Sequence, residues 1–272
     1  MNSQIEVQKR EWIDDLLYFP SWGRGVWLVW RRNFLYFRHT IWTAMSWIFV
    51  EPLLYLFALG YGLGSYIPEV EGVRYAVFIA PAMLATTSMF VAFFEGTYGT
   101  YTKLSRQNTF HTIIMTPLGT DEIVLGEIAW CASKAFLSVF AVGIVIVALG
   151  LTSITPLLPC LFVLALLCWV FASIGVFLAS VAKSYETFTY LTSGFITPMS
   201  LFCGTYFPIS QLPKALQIFA QLLPLTHGLS AVRILIRGDF SPVLILDVGY
   251  LFFLGMIFTN LAAAKMHRKL IA

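Results

Sequence analysis

LLPCLFVLALLCWVFASIGVFLASV, residues 157–181, carries no charged side chain. A helix rising 1.5 Å per residue would carry such a run across the roughly 30 Å hydrocarbon core of a bilayer. Lipid leaves no solvent for unpaired backbone groups, so a helix is the form that survives there. The rest of the chain has the same character. Of its 272 residues, 58% are hydrophobic, 16% aromatic and only 11% charged, with a mean hydropathy of +0.79. A soluble domain carries about 25% charged residues. A β-barrel would read as short alternating segments, which these long continuous runs are not.

Six runs approach the length of a span: 42–64, 75–98, 128–150, 157–181, 188–203 and 242–264. The expectation is an all-α membrane protein of six transmembrane helices. Its single domain covers 1–272, with 1–41 a tail and interfacial helix, 42–264 the core and 265–272 a second tail. Lys9, Arg10, Arg24, Arg31, Arg32, Arg38, Lys103, Arg106, Lys183, Lys265, Arg268 and Lys269 fall on one side of these runs. Only Arg74, Lys214, Arg233 and Arg237 fall on the other. Positive charge collects on the cytoplasmic side, which places both termini in the cytoplasm of a multi-pass protein. The N-terminus mixes charges of both signs and lacks an A-x-A-like site, so the first span is expected to stay as an anchor.

Two segments are polar and apolar at once. In residues 21–42, Trp22, Trp27, Trp30, Phe34 and Phe37 alternate with Arg24, Arg31, Arg32 and Arg38. That pattern predicts an amphipathic helix in the membrane interface, the alternative being an early start to the first span. In residues 204–240, Pro208, Pro213 and Pro224 interrupt a stripe of Leu212, Leu216, Phe219 and Leu223. Too broken for a full span and too apolar for a free loop, it reads as re-entrant or amphipathic outer helices.

Catalytic signatures are missing: there is no G-x-x-x-x-G-K-[ST] loop and no H-E-x-x-H. His227 and Ser230 lack the partner geometry of an intramembrane protease. Cys131, Cys160, Cys168 and Cys203 form no C-x-x-C pair and read as buried thiols without a metal. Glu51, Glu95, Lys134 and Asp247 are the charges in or beside the runs, each a candidate because an ionisable group in lipid is costly. Gly60-x-x-x-Gly64, Ala58-x-x-x-Gly62 and Gly175-x-x-x-Ala179 are spacings that let helices approach closely.

The run 115–123 (MTPLGTDEI), with 207–213 (FPISQLP), 223–227 (LPLTH) and 231–233 (AVR), resembles the permease subunits of type-2 ATP-binding-cassette exporters over nearly the whole chain. Residues 51–64 (EPLLYLFALGYGLG) are most similar to the nodulation-factor exporter permeases of that family, with polysaccharide, teichoic-acid and drug-efflux permeases related. The resemblance implies a homodimer in the bacterial inner membrane with two separate ATPase subunits. These would bind ATP and Mg²⁺, so this chain holds no cofactor. The cargo would be a lipo-oligosaccharide, glycolipid or polysaccharide moved outward, or alternatively a drug or ion; an intramembrane enzyme is the reading from another class.

The same resemblance makes Thr112, Ile113, Ile114, Met115, Thr116, Pro117, Leu118, Gly119, Thr120, Asp121 and Glu122 the ATPase-coupling loop. Asp121 is expected to begin the helix of the third run, where acids favour the positive end of the dipole. Ile113, Ile114 and Met115 would form an apolar knob for a partner's groove, or would pack on the chain's own interfacial helix. Glu51, Tyr55, Phe57, Tyr61, Phe90, Phe93, Phe94 and Tyr98 are candidates for the translocation path or its gate. Phe207, Pro208, Pro213, Phe219, Pro224, His227 and Arg233 mark the outer re-entrant segment.

Overall fold

The computed structural model describes residues 18–67, 69–238 and 241–271, with the side chains of residues 42–49, 51–53 and 61 outside that description. The expectations placed on the side chains of Glu51 and Tyr61 therefore lie outside the described residues.

Helix α1 (Arg24–Tyr55) runs on through π-type turns over Leu56–Gly62. Between Gly25 and Pro52 its sequence holds no helix breaker. The boundary expected near residue 42, between interfacial helix and first span, is accordingly not a break. A small antiparallel hairpin follows, β1 (Glu69–Val70) against β2 (Val73–Arg74). Its turn residues Glu71 and Gly72 both have positive φ, as a tight two-residue hairpin turn requires. Then come α2 (Tyr75–Phe94), prolonged by π-type turns over Glu95–Gly99 and Thr102–Arg106, and the short α3 (Thr109–Ile114). Helices α4 (Thr120–Ala148) and α5 (Ile154–Val181) are long. The short α6 (Glu186–Leu191) and α7 (Thr197–Phe202) are joined by a π-type turn. Two further helices, α8 (Lys214–Gln221) and α9 (Pro224–Arg237), precede the last helix, α10 (Pro242–Ile271).

Among the described residues, Tyr75–Arg106, Thr120–Ala148, Ile154–Val181 and Pro242–Ile271 are long and apolar enough to cross a membrane. The pair α8 and α9 adds a fifth if counted as one broken span, although its halves meet at 85°. Four of the six expected spans are thus met among the described residues. The run 188–203 is divided between α6 and α7, and at 1.5 Å per residue the combined stretch reaches only about 25 Å. The run 42–64 leads into a shorter apolar helix, Leu56–Ser65.

The charge-free α5 sits at the hub, packed against α2, α4, α9 and α10. A helix surrounded in this way is apolar on every face. Helix α1 lies along α4 instead, through a stripe four residues apart: Gly25, Val29, Asn33 and Phe37 are all buried. Phe37 therefore faces protein, not the interface its sequence pattern suggested. On the other side Trp22, Trp27, Leu28 and Phe34 are exposed, with Trp27 stacked on Trp30 at 4.7 Å and Trp30 on Phe34 at 5.3 Å.

Candidate functional site

The segment between α2 and α4 begins with Asn108 in the left-handed region (φ +50°), which turns the chain into α3. After α3, Thr116 N–H donates to Ile113 O at 2.9 Å, and Gly119 N–H donates to Glu122 Oε2 at 3.1 Å to close the first turn of α4. Helix α4 starts where Asp121 suggested. The apolar knob is divided: Met115 is 90% exposed, while Ile113 and Ile114 are half-buried against the core. Leu118 leans on Gly25 of α1. Thr112, Thr116, Pro117 and Gly119 are exposed, and Thr120 pairs through Oγ1 with His267 Nδ1 at 2.6 Å.

The two acids do more than complement a dipole. Asp121 Oδ1 accepts from Tyr18 Oη–H at 2.6 Å, and its Oδ2 accepts from the backbone and hydroxyl of Ser21 at 3.0 and 3.1 Å. Glu122 Oε1 accepts from Gly25 N–H at 3.0 Å. Together they tie the segment before α1 to the start of α4. Burial, the hydrogen bond to Asp121 and its negative charge push the Tyr18 hydroxyl up to about 12. Replacing a charged acceptor of three hydrogen bonds costs about 1–3 kcal/mol. Asp121→Ala is expected to free residues 18–25, seen as faster tryptic cleavage at Arg24, with the long helices still protected.

A second cluster lies between α1, α4 and the π-type turns after α2. Glu127, fully buried, forms an ion pair with Lys103 and accepts from Asn33 Nδ2 at 2.8 Å. Arg32 Nη2 donates to Asn33 Oδ1 at 2.8 Å. Glu95 takes Lys134 Nζ at 2.6 Å and Trp130 Nε1 at 3.1 Å. Glu95 and Lys134, two of the charges singled out in the apolar runs, thus pair with each other. Glu127, Lys103 and Asn33 were missed as a site. Their signal was a carboxylate one helical heptad before Lys134, but its partners come from two other elements. The cluster borders a cavity of about 540 Å³.

The aromatic candidates separate by face. Phe90 stacks on Phe94 at 6.0 Å, Phe94 meets Tyr98 tilted at 5.8 Å, and Tyr98 reaches Phe188 at 5.2 Å. Phe93 is fully buried in the core, so it lines no open surface of this chain; it lies one position off the 90–94–98 row. Tyr55 and Phe57 are about half exposed.

At the opposite end Pro208 and Pro224 are buried, Phe207 is half-buried, and Pro213 and Phe219 are exposed. His227 Nδ1 meets Asp247 Oδ1 at 2.7 Å and its Nε2 meets Gln221 O at 2.8 Å, so α9 is fastened both to α8 and to α10. Arg233 donates to Gly204 O at 2.8 Å and lies 4.2 Å over the Phe78 ring. All four cysteines are buried and free, as their apolar surroundings indicated.

The family model for ABC-2 type transporters matches residues 24–236. Nodulation protein J of Rhizobium meliloti (strain 1021) is 36% identical over 251 residues, 92% of this chain and 96% of the relative. That of Rhizobium leguminosarum bv. trifolii is 37% identical over 258 residues, 95% and 98% of the two chains. That of Bradyrhizobium diazoefficiens is 40% identical over 205 residues, 75% and 78%. With its long apolar helices, this chain belongs to the ABC-2 type transporter family and is a membrane transport permease subunit.

Proposed function

We propose that two copies of this chain form the membrane-spanning half of an ATP-driven exporter in a bacterial inner membrane, both termini in the cytoplasm. Permeases of this family generally pair with ATPase subunits. Here two separate ATPases bind ATP and Mg²⁺, and nucleotide binding shifts the permease pair between inward-open and outward-open states. The cargo is amphipathic: a lipo-oligosaccharide, glycolipid or polysaccharide. The observation that carries this reading is likeness over 92–95% of the chain to relatives named for nodulation.

The segment from Thr112 to Glu122 is the coupling element, and its exposed Met115 is the contact that enters the ATPase. The path runs between the copies, with Tyr55, Phe57, Phe90, Phe94 and Tyr98 toward it. The half-exposed Tyr55 and Phe57 support that placement. The outer helices α8 and α9 form its outer gate.

The test is co-purification of the ATPase with the permease, followed by vanadate-sensitive uptake of a lipo-oligosaccharide into inverted vesicles. Hydrolysis of peptide or lipid by the chain alone would overturn the reading. Vanadate-sensitive extrusion of a hydrophobic dye with no glycolipid transport would move the cargo to drugs. Met115→Glu is expected to reduce ATPase co-purification about tenfold, a loss of roughly 1.4 kcal/mol. Its thermal unfolding should stay near wild type, because an exposed substitution changes stability by only about 0.5 kcal/mol.

A further inference from the structure

The cavity between α1, the turns after α2 and α4 has more donors than its acids can use. Arg32, Lys103 and Lys134 face Glu95 and Glu127. Each carboxylate oxygen already has a donor: Lys103 and Asn33 on Glu127, Lys134 and Trp130 on Glu95. Arg32 spends Nη2 on Asn33, and its Nη1 is buried with no hydrogen-bond partner among the described residues. Arginine and lysine can only donate. What remains is one excess positive charge and a buried, unpartnered guanidinium N–H on a residue that lines a space of about 540 Å³.

An acceptor-only anion completes such a site, and guanidinium suits the oxygens of a phosphate ester. The surroundings indicate where that phosphate comes from. Tyr36 lines the cavity and is 73% exposed, and the stacked Trp27, Trp30 and Phe34 continue along the same helix. Exposed tryptophan and tyrosine sit at headgroup depth in a bilayer. Lys103 and Arg106 mark the end of the preceding span at this level.

We infer that this cavity is a binding site for a phosphate-ester anion, presented by the headgroup of an anionic membrane lipid and held by Arg32 with Lys134 and Lys103. The site shares Tyr98 with the proposed translocation path and lies outside the coupling segment, and it stands whether or not the exporter reading does.

The experiment is thermal stabilisation of the full chain in dodecyl maltoside micelles titrated with phosphatidylglycerol, phosphatidylcholine or soluble glycerol 3-phosphate. Phosphatidylglycerol is expected to half-saturate at a mole fraction about tenfold below that of phosphatidylcholine, as a charge-assisted contact to phosphate implies. Arg32→Gln should erase that preference. Arg31→Gln, on an exposed neighbour that does not line the cavity, should keep it. Equal half-saturation by the two lipids overturns the inference, and so does an equal loss in both variants. Stabilisation by glycerol 3-phosphate at the potency of phosphatidylglycerol overturns the lipid as its source. The wild-type titrations decide the matter even if Arg32→Gln fails to fold.

Discussion

Gly175→Leu is expected to abolish recovery of folded protein. A Cβ at 175 would sit 2.9 Å from Gly96 Cα and 3.0 Å from Phe93 O, and one at Gly96 would sit 2.9 Å from Ala172 O. These neighbours are backbone, so no side chain can swing away. Here α5 crosses the π-type turn after α2 with nothing between the two chain segments. Adding methylenes to a packed core costs about 1–3 kcal/mol. Leucine must instead push the crossing helices away from each other, and a loss above roughly 3 kcal/mol is large against a total stability of about 5–15 kcal/mol. Size-exclusion profiles and thermal unfolding in detergent read the effect, with Gly175→Ala intermediate. Gly249→Ala is the control, since a Cβ there meets nothing within 4 Å. A wild-type unfolding temperature for Gly175→Leu would rule out this crossing.

Glu127→Leu should cost about 3–5 kcal/mol, because it strands the Lys103 ammonium and the Asn33 amide beside a fully buried position. The informative comparison is the pair of single changes against the double. Replacing both charges with apolar residues of similar volume is often nearly neutral. Lys103→Met with Glu127→Leu is therefore expected to regain most of the stability lost by Glu127→Leu alone. Chemical unfolding of the four proteins gives the coupling energy directly. Additive losses would mean that the ion pair does not link α4 to the turns after α2.

How much of this could be read beforehand varies with the range of the interaction. The start of α4 at Thr120 was legible because Gly119 and Glu122 act within one turn of each other. The pieces of the segment 204–238 were legible because Pro208, Pro213 and Pro224 act on their own backbone. The use of Asp121 was not, since its partners Tyr18 and Ser21 lie about a hundred residues earlier. The same holds for Phe37 and Phe93. Composition marks them as aromatic, and only the packing of α1 on α4 and of α2 on α5 decides that they face inward.

By itself the sequence determined that this is a helical membrane protein, where its long apolar helices run, and which family it belongs to. These properties follow from local composition, from backbone chemistry that lipid enforces at every residue, and from motifs contiguous in the chain. Tertiary structure alone decided that Val29, Asn33 and Phe37 of α1 are buried along α4. It also decided that the acids of the loop hold the segment before α1, and that Lys103, Asn33 and Arg32 line one cavity with Glu127 buried behind them. Such meetings depend on which faces of distant helices touch, and no periodicity within one helix records its neighbour's face.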